Sequence, residues 1–309
     1  MSYKKRRRRF VPSACNHVYQ RAAGGNILFY DREDYLIFYM IVSVMAKKYG
    51  TRVLELCLMV DHIHLLIETD TLEQMAAFVR DYSAVFAREY NDSIGRHGKV
   101  LWKSYGSAPK KGSKQMRSAI VYIGNNPVEK MLCDYAEDYR WNFLKYIKYR
   151  APFSDGIMVR DYSRPLARAV KIVNSAVRAC RFLNYSRLYH LFADLNDMDK
   201  ERLTDYIVNA YSPFDVDGLM EYYDDYEQMI AAMHSTAGSE HDIKEEWMSR
   251  SDRIYGEMVS CLKKEQRFVR VRSAIAMPMS RKVQLAEILR RETGATLYEI
   301  ARFLHMKHK

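Results

Sequence analysis

Two histidines separated by one residue, His62 and His64 in the segment MVDHIHLLIE, have residue types and a spacing that can do chemistry. On a strand, side chains alternate between faces, so both imidazoles project to one side while Ile63 and Leu65 point to the other. That geometry offers two nitrogen ligands to one metal ion. The plainer alternative is two polar residues on a solvated strand face. A second pair lies in VYIGNNPVEKM, where Tyr122 and Asn126 stand four residues apart. On a helix this spacing stacks them on one face, a turn apart, so one element can deliver a phenol and an amide to the same spot. Taken alone, Tyr122 is one of 24 tyrosines, and a helical tyrosine is ordinarily a packing residue. Pro127 disfavours helical geometry at the residue before it, which places Asn126 at a frayed helix end.

The elements that must position these groups follow from periodicity and breakers. Cys15 to Arg21 reads as a short first strand before a loop at Ala22 to Gly25. Asp31 to Tyr49 carries a helical pattern, acidic at its start (Asp31, Glu33, Asp34) and basic at its end (Lys47, Lys48), as the helix dipole favours. Val53 to Met59 and His62 to Glu68 are β-type runs separated by Val60 and Asp61. Leu72 to Tyr90 is a second long helix, and Val100 to Ala108 a further strand. A basic turn follows at Lys110, Lys111 and Lys114, and then a helix from Gln115 to Asn126. The order β, α, β, β, α, β, α predicts an α+β, ferredoxin-like (RRM-like) antiparallel sheet with helices on one face.

Beyond residue 150 the strand signals fade. Val170 to Phe192, Asp199 to Tyr211, Asp217 to His234, Ile243 to Glu265 and Lys282 to Leu304 all suit helices. The expected organisation is a basic arm (1–12), an α+β domain (13–150) and a helical domain (151–309).

The 309 residues carry a formal charge of +11. Residues 1–150 hold 25 Lys and Arg against 15 Asp and Glu, while residues 151–309 hold 24 against 23. A basic first half joined to a neutral second half suggests a polyanion partner, and nucleic acid is the commonest one in a cytoplasm. Arg6, Arg7, Arg8 and Arg9 form an arm that can track phosphates. Lys103, Lys110, Lys111, Lys114 and Arg117, with Trp102 and Tyr105 interleaved, form a candidate track for phosphates and unstacked bases. A solvated basic turn beside a core Trp102 is the alternative. The longest apolar run, Tyr35 to Ala46, is too short for a membrane span and reads as a core helix. No export signal is visible, and five widely spaced cysteines without a paired motif point to free thiols in a reducing cytoplasm.

Taken together, HVYQR near the start, CLMVDHIHLLIE, the helix ending AREYNDSIGRHGKVLWKSYG, and VYIGNNPV resemble the single-tyrosine HUH transposases. The likeness is to their REP-associated, IS200-like group, and it covers roughly residues 14–150. The resemblance implies a divalent metal, Mg²⁺ or Mn²⁺, held by His62, His64 and the Asn126 amide. It makes Tyr122 the nucleophile that attacks single-stranded DNA near hairpins, leaving a 5′-phosphotyrosine. Relatives act as monomers or as homodimers. A phenol with a pKa near 10 is a poor nucleophile at neutral pH unless it or its target is stabilised, which a metal on the phosphate oxygens can do. Two departures stand out. The family commonly has Pro-Asn before the first histidine and a histidine two residues after the tyrosine, where this chain has Val60-Asp61 and Gly124. The competing functions are a non-catalytic ferredoxin-like regulator that binds nucleic acid, and an HUH enzyme of plasmid nicking or replication initiation. At the far end, residues 281–306 resemble the start of a helix-turn-helix.

Overall fold

The computed structural model describes residues 10–12, 14–156, 159–236, 251–265, 268 and 270–307; the Arg6 to Arg9 arm lies outside them, as do residues 237–250. Four strands, β1 (Cys15–Arg21), β2 (Arg52–Leu58), β3 (His62–Glu68) and β4 (Gly106–Lys110), form one sheet in the order β2-β3-β1-β4. All pairings are antiparallel, with Val18 opposite Leu65 and Tyr19 opposite His64. Together with α1 (Arg32–Tyr49) and α2 (Leu72–Asp92) this is the ferredoxin-like arrangement.

Strand alternation gives the sheet two faces, and both are covered. Val18, Leu56, Leu58, Ile63, Leu65 and Ile67 meet α1 and α2, where Phe38, Phe78, Tyr82 and Phe86 fill the layer. The other face carries Cys15, Cys57 and Leu66, which pack on α3 (Gly112–Glu129) through Met116, Ile120 and Ile123. Helices therefore lie on both faces, the third one on the histidine side. α1 is buried on nearly every side, as expected of a helix packed within a core. Asp31 and Asp34 form its capping box, and Gly50, left-handed at φ 60°, ends it.

The fourth strand begins later than its sequence suggests. Around Val100 to Trp102 the chain pairs only with the end of β1, through an isolated bridge of Leu101 to Ala22 and the bond from Trp102 N–H to the Arg21 carbonyl at 2.9 Å. It re-enters the sheet at Gly106, where a Cβ would stand 2.1 Å from the Tyr19 ring. Only glycine lets that ring lie across β4.

The rest is helical: α4 (Leu144–Lys148), α5 (Arg164–Arg178), α6 (Tyr185–Ala193), α7 (Asp197–Ala210), α8 (Val216–Met220), α9 (Tyr226–Thr236), α10 (Arg253–Glu265), α11 (Met279–Thr293) and α12 (Leu297–Phe303). The run expected as one helix over 170–192 breaks at Cys180, which is left-handed at φ 50°, before Asn184 caps α6. The run over 217–234 breaks between α8 and α9. The turn at Gly294 is as expected, at φ 69°. One apolar core runs from Val18 and α1 through Leu203 and Ile207 to Leu285 and Phe303.

Within that core the buried Arg272 guanidinium pairs with Asp34 at 2.8 Å. It also donates to the Tyr90 carbonyl and to Ser93 Oγ. The helical region is thereby tied to α1 and α2. The five cysteines form no disulfide. No helix among the described residues is long and apolar enough to cross a membrane.

α3 is sandwiched, with the sheet on one side and Leu219, Tyr223, Met229 and Met233 of the α8–α9 segment on the other. At Gly124 a Cβ would lie 2.6 Å from Met233 Cε and 2.8 Å from its Sδ. Gly124→His, the residue of the family pattern, is therefore expected to overpack this contact and cost about 1–3 kcal/mol. An unchanged urea midpoint would contradict the close seating of α9. Beneath Gly124, beside a bulge in β2, both Glu55 carboxyl oxygens are buried without hydrogen-bond partners. Burial pushes this carboxyl well above the usual glutamate range. The fold thus favours the protonated form, and that advantage fades as pH rises above the ordinary glutamate range. Glu55→Gln should gain stability over the parent by up to about 1.4 kcal/mol per pH unit until the buried carboxyl ionises. Urea unfolding of both proteins at pH 5 and pH 8 reads this out, and parallel pH profiles would refute it.

Candidate active site

β3 sets His62 and His64 on the face that α3 covers. They are not on a solvated face: His62 is 8% exposed and His64 0%, while Tyr122 and Asn126 on the helix above are 5% and 4% exposed. The His62 and His64 rings stand nearly perpendicular with centroids 4.9 Å apart. The Tyr122 ring meets His64 edge-on at 5.7 Å. The four residues singled out in the sequence are thus brought to one place by a strand and a helix of the same chain.

Asn126 is not at a frayed end. α3 continues through Pro127 to Glu129, and the Lys130 N–H closes a helical bond on the Asn126 carbonyl at 3.1 Å. The proline removes one donor, and Asn142 Nδ2 donates to the Gly124 carbonyl nearby at 3.3 Å. The Asn126 amide is itself oriented, with Nδ2 donating to the Tyr122 carbonyl at 2.8 Å. This leaves Oδ1 as the group available to a ligand.

Two residues outside the sequence-derived set orient the imidazoles. His17, on β1, places Nε2 2.9 Å from His64 Nδ1, and its ring also meets Tyr122 edge-on at 5.7 Å. Asp61 Oδ1 lies 2.6 Å from His62 Nδ1. Each ring is therefore held by Nδ1, so any metal would be met by Nε2. His17 carried a signal, since it opens HVYQR at the period that puts it on the histidine face. Asp61 appeared only as a departure from the family pattern.

The electrostatics keep the His17 and His64 rings neutral. Burial, with the nearby Lys110 charge, lowers the His17 pKa to about 3. Burial first, then the neighbouring histidines, holds His64 well below its ordinary value, and the Asn126 side chain opposes this in part. Burial would raise the Asp61 carboxyl, but the His62 ring and the Arg302 guanidinium hold it below the usual carboxylate range. It therefore remains an ionised acceptor, the partner that metal-binding histidines commonly have. His64 Nε2 is buried with no hydrogen-bond partner, an unmet need that a cation would satisfy. Among the described residues no group of three His, Cys, Asp or Glu side chains is placed to hold a metal. A metal here would have to complete its protein ligands with the Asn126 amide, and the donor set fits Mg²⁺ or, with its imidazoles, Mn²⁺.

The candidate DNA-contacting residues are only partly assembled. Trp102 is 46% exposed rather than in the core, and Lys103, Lys111 and Lys114 are exposed around β4 and the start of α3. Lys110 is half-buried at the end of β4, opposite Cys15. Arg117 donates to the Tyr222 carbonyl at 2.7 Å and lies over the Tyr223 ring. Tyr105 is buried in the main core and cannot offer a stacking face. The sequence treated it as interleaved with the lysines, but its side chain turns inward.

One solved structure, described as "Structure of the REP associates tyrosine transposase bound to a REP hairpin", aligns over 52% of this chain and 95% of that one, with 13% identity and a TM-score of 0.41. No curated protein matches the chain. The family model "Transposase IS200 like" matches residues 27–126, a span that takes in His62, His64, Tyr122 and Asn126 and leaves out His17 and the helical region. Over those residues, about a third of the chain, the sequence is similar to the IS200-like transposase family.

Proposed function

We propose that this chain is a metal-dependent enzyme that nicks and rejoins single-stranded DNA, with Tyr122 as nucleophile. The observation that carries this reading is the placement of the Tyr122 phenol edge-on to the buried, neutral His17 and His64 rings, with His62 beside His64 and Asn126 a turn further along the tyrosine's helix. His62 Nε2, His64 Nε2 and Asn126 Oδ1 would hold the cation. Bound there, Mg²⁺ or Mn²⁺ would neutralise charge on the nonbridging phosphate oxygens.

In the nicking step Tyr122 Oη forms a bond to phosphorus as the bond from phosphorus to O3′ breaks. The phenol proton is lost and the departing 3′ oxygen gains one. One phosphodiester is exchanged for another, which leaves a 5′-phosphotyrosine and a 3′-hydroxyl and needs no ATP. Attack by a second hydroxyl reverses the bond and transfers the strand. Since strand and helix belong to one chain, a monomer supplies every group. Burial of Tyr122 means that entry of DNA must displace part of its cover. Following the resemblance to REP-associated transposases, the proposed substrate is a hairpin with single-stranded flanks, gripped by Trp102, Lys103, Lys110, Lys111 and Lys114.

End-labelled hairpin oligonucleotides incubated with the protein and Mn²⁺ should yield a denaturant-resistant protein–DNA adduct. It should disappear in Tyr122→Phe and with chelator, and fall by at least about tenfold in Asn126→Ala. Tight binding without an adduct, across stem and flank sequences and both metals, would favour the regulator instead. The double change Lys111→Ala, Lys114→Ala should flatten the plot of log affinity for single strands against log salt by about 0.7 per lysine in contact with phosphate. An unchanged slope would remove both from the DNA path.

A further inference from the structure

Arg302 lies on α12, 241 residues along the chain from Asp61, yet its guanidinium donates to Asp61 Oδ2. Its other nitrogens donate to the Gly25 carbonyl, in the loop after β1, and to Tyr255 Oη on α10 at 2.8 Å. The side chain is 14% exposed. The backbone that carries it is anchored as well, since the Ile27 N–H donates to the Arg302 carbonyl at 3.3 Å and Tyr30 Oη to the Phe303 carbonyl at 2.5 Å. Asp61 is thus held on both oxygens, by Arg302 on one and His62 on the other.

A carboxylate held only by an imidazole can rotate about its χ angles and carry the ring with it. Fixed from behind by a planar guanidinium that has its own supports, it cannot. We propose that Arg302 is a positioning residue of the active site: from the helical region outside the transposase-family match it fixes Asp61, and through it the ring of His62. The inference rests on the reading of His62 as a metal ligand. It gives the C-terminal half of the chain a part in the site that the matched domain alone would lack.

The test is Mn²⁺ binding by isothermal titration to the full-length, metal-free protein, alongside its thermal unfolding without metal. Asp61→Asn, which removes the outer partner of a metal ligand, is expected to weaken Mn²⁺ binding about ten- to a hundredfold. Arg302→Gln, which acts only through Asp61, should weaken it by up to about tenfold, and the two changes together little more than Asp61→Asn alone. A purely structural arginine would lower the melting temperature but leave the affinity of the folded protein unchanged. Affinity within twofold of the parent in folded Arg302→Gln would therefore overturn the inference while leaving the proposed function standing. Should that variant fail to fold, Tyr255→Phe removes one support and keeps the charge. It should weaken binding severalfold, and unchanged affinity there would equally overturn the inference. A parent protein that binds no Mn²⁺ would instead remove the metal-site reading on which the inference depends.

Discussion

Side-chain alternation along β3 is the constraint from which the rest of the arrangement follows. Ile63, Leu65 and Ile67 enter the core under α1 and α2, so His62, His64 and Leu66 must face the other way. That second face carries Leu66, Cys57 and Cys15 as well as imidazoles and needs an apolar cover. α3 supplies it with Met116, Ile120 and Ile123, and the same helix turns that seat those residues bring Tyr122 and Asn126 over the histidines. Packing and candidate chemistry share one interface, and a helix displaced from this face would lose both.

Burial on this face makes an outer layer of polar partners necessary. In a water-poor layer the orientation of an imidazole is set by whatever bonds it can find. His17 takes Nδ1 of His64, Asp61 takes Nδ1 of His62, and the Tyr122 carbonyl takes Nδ2 of Asn126. Each contact leaves one particular atom for a ligand. Much of this layer comes from outside the strand and helix that carry the site: His17 from β1, and Arg302 behind Asp61 from α12.

Local patterns made much of this legible. The bounds of β1 and β3 were readable to the residue, because short alternating runs flanked by breakers leave little freedom. The i, i+4 relation of Tyr122 and Asn126 needed only a helix. Pro127 misled at Asn126 because local sterics disfavour that geometry, whereas packing of α3 between the sheet and α8–α9 sustains it. Val100 to Tyr105 has the composition of a strand, yet the chain takes only one bridge there before Gly106 admits the Tyr19 ring. Tyr105 looked like a partner of the neighbouring lysines because linear order says nothing about which way a side chain turns. The links from Arg302 to Asp61 and from Arg272 to Asp34 join residues more than 200 positions apart, and no local periodicity encodes them.

The most direct test of a site shared between β3 and α3 is a crystal of the full-length protein grown with Mn²⁺, with anomalous scattering used to locate the ion. A single peak bounded by His62 Nε2, His64 Nε2 and Asn126 Oδ1, beside Tyr122, is the expected result. A peak elsewhere, or none at a concentration that saturates binding in solution, would contradict it.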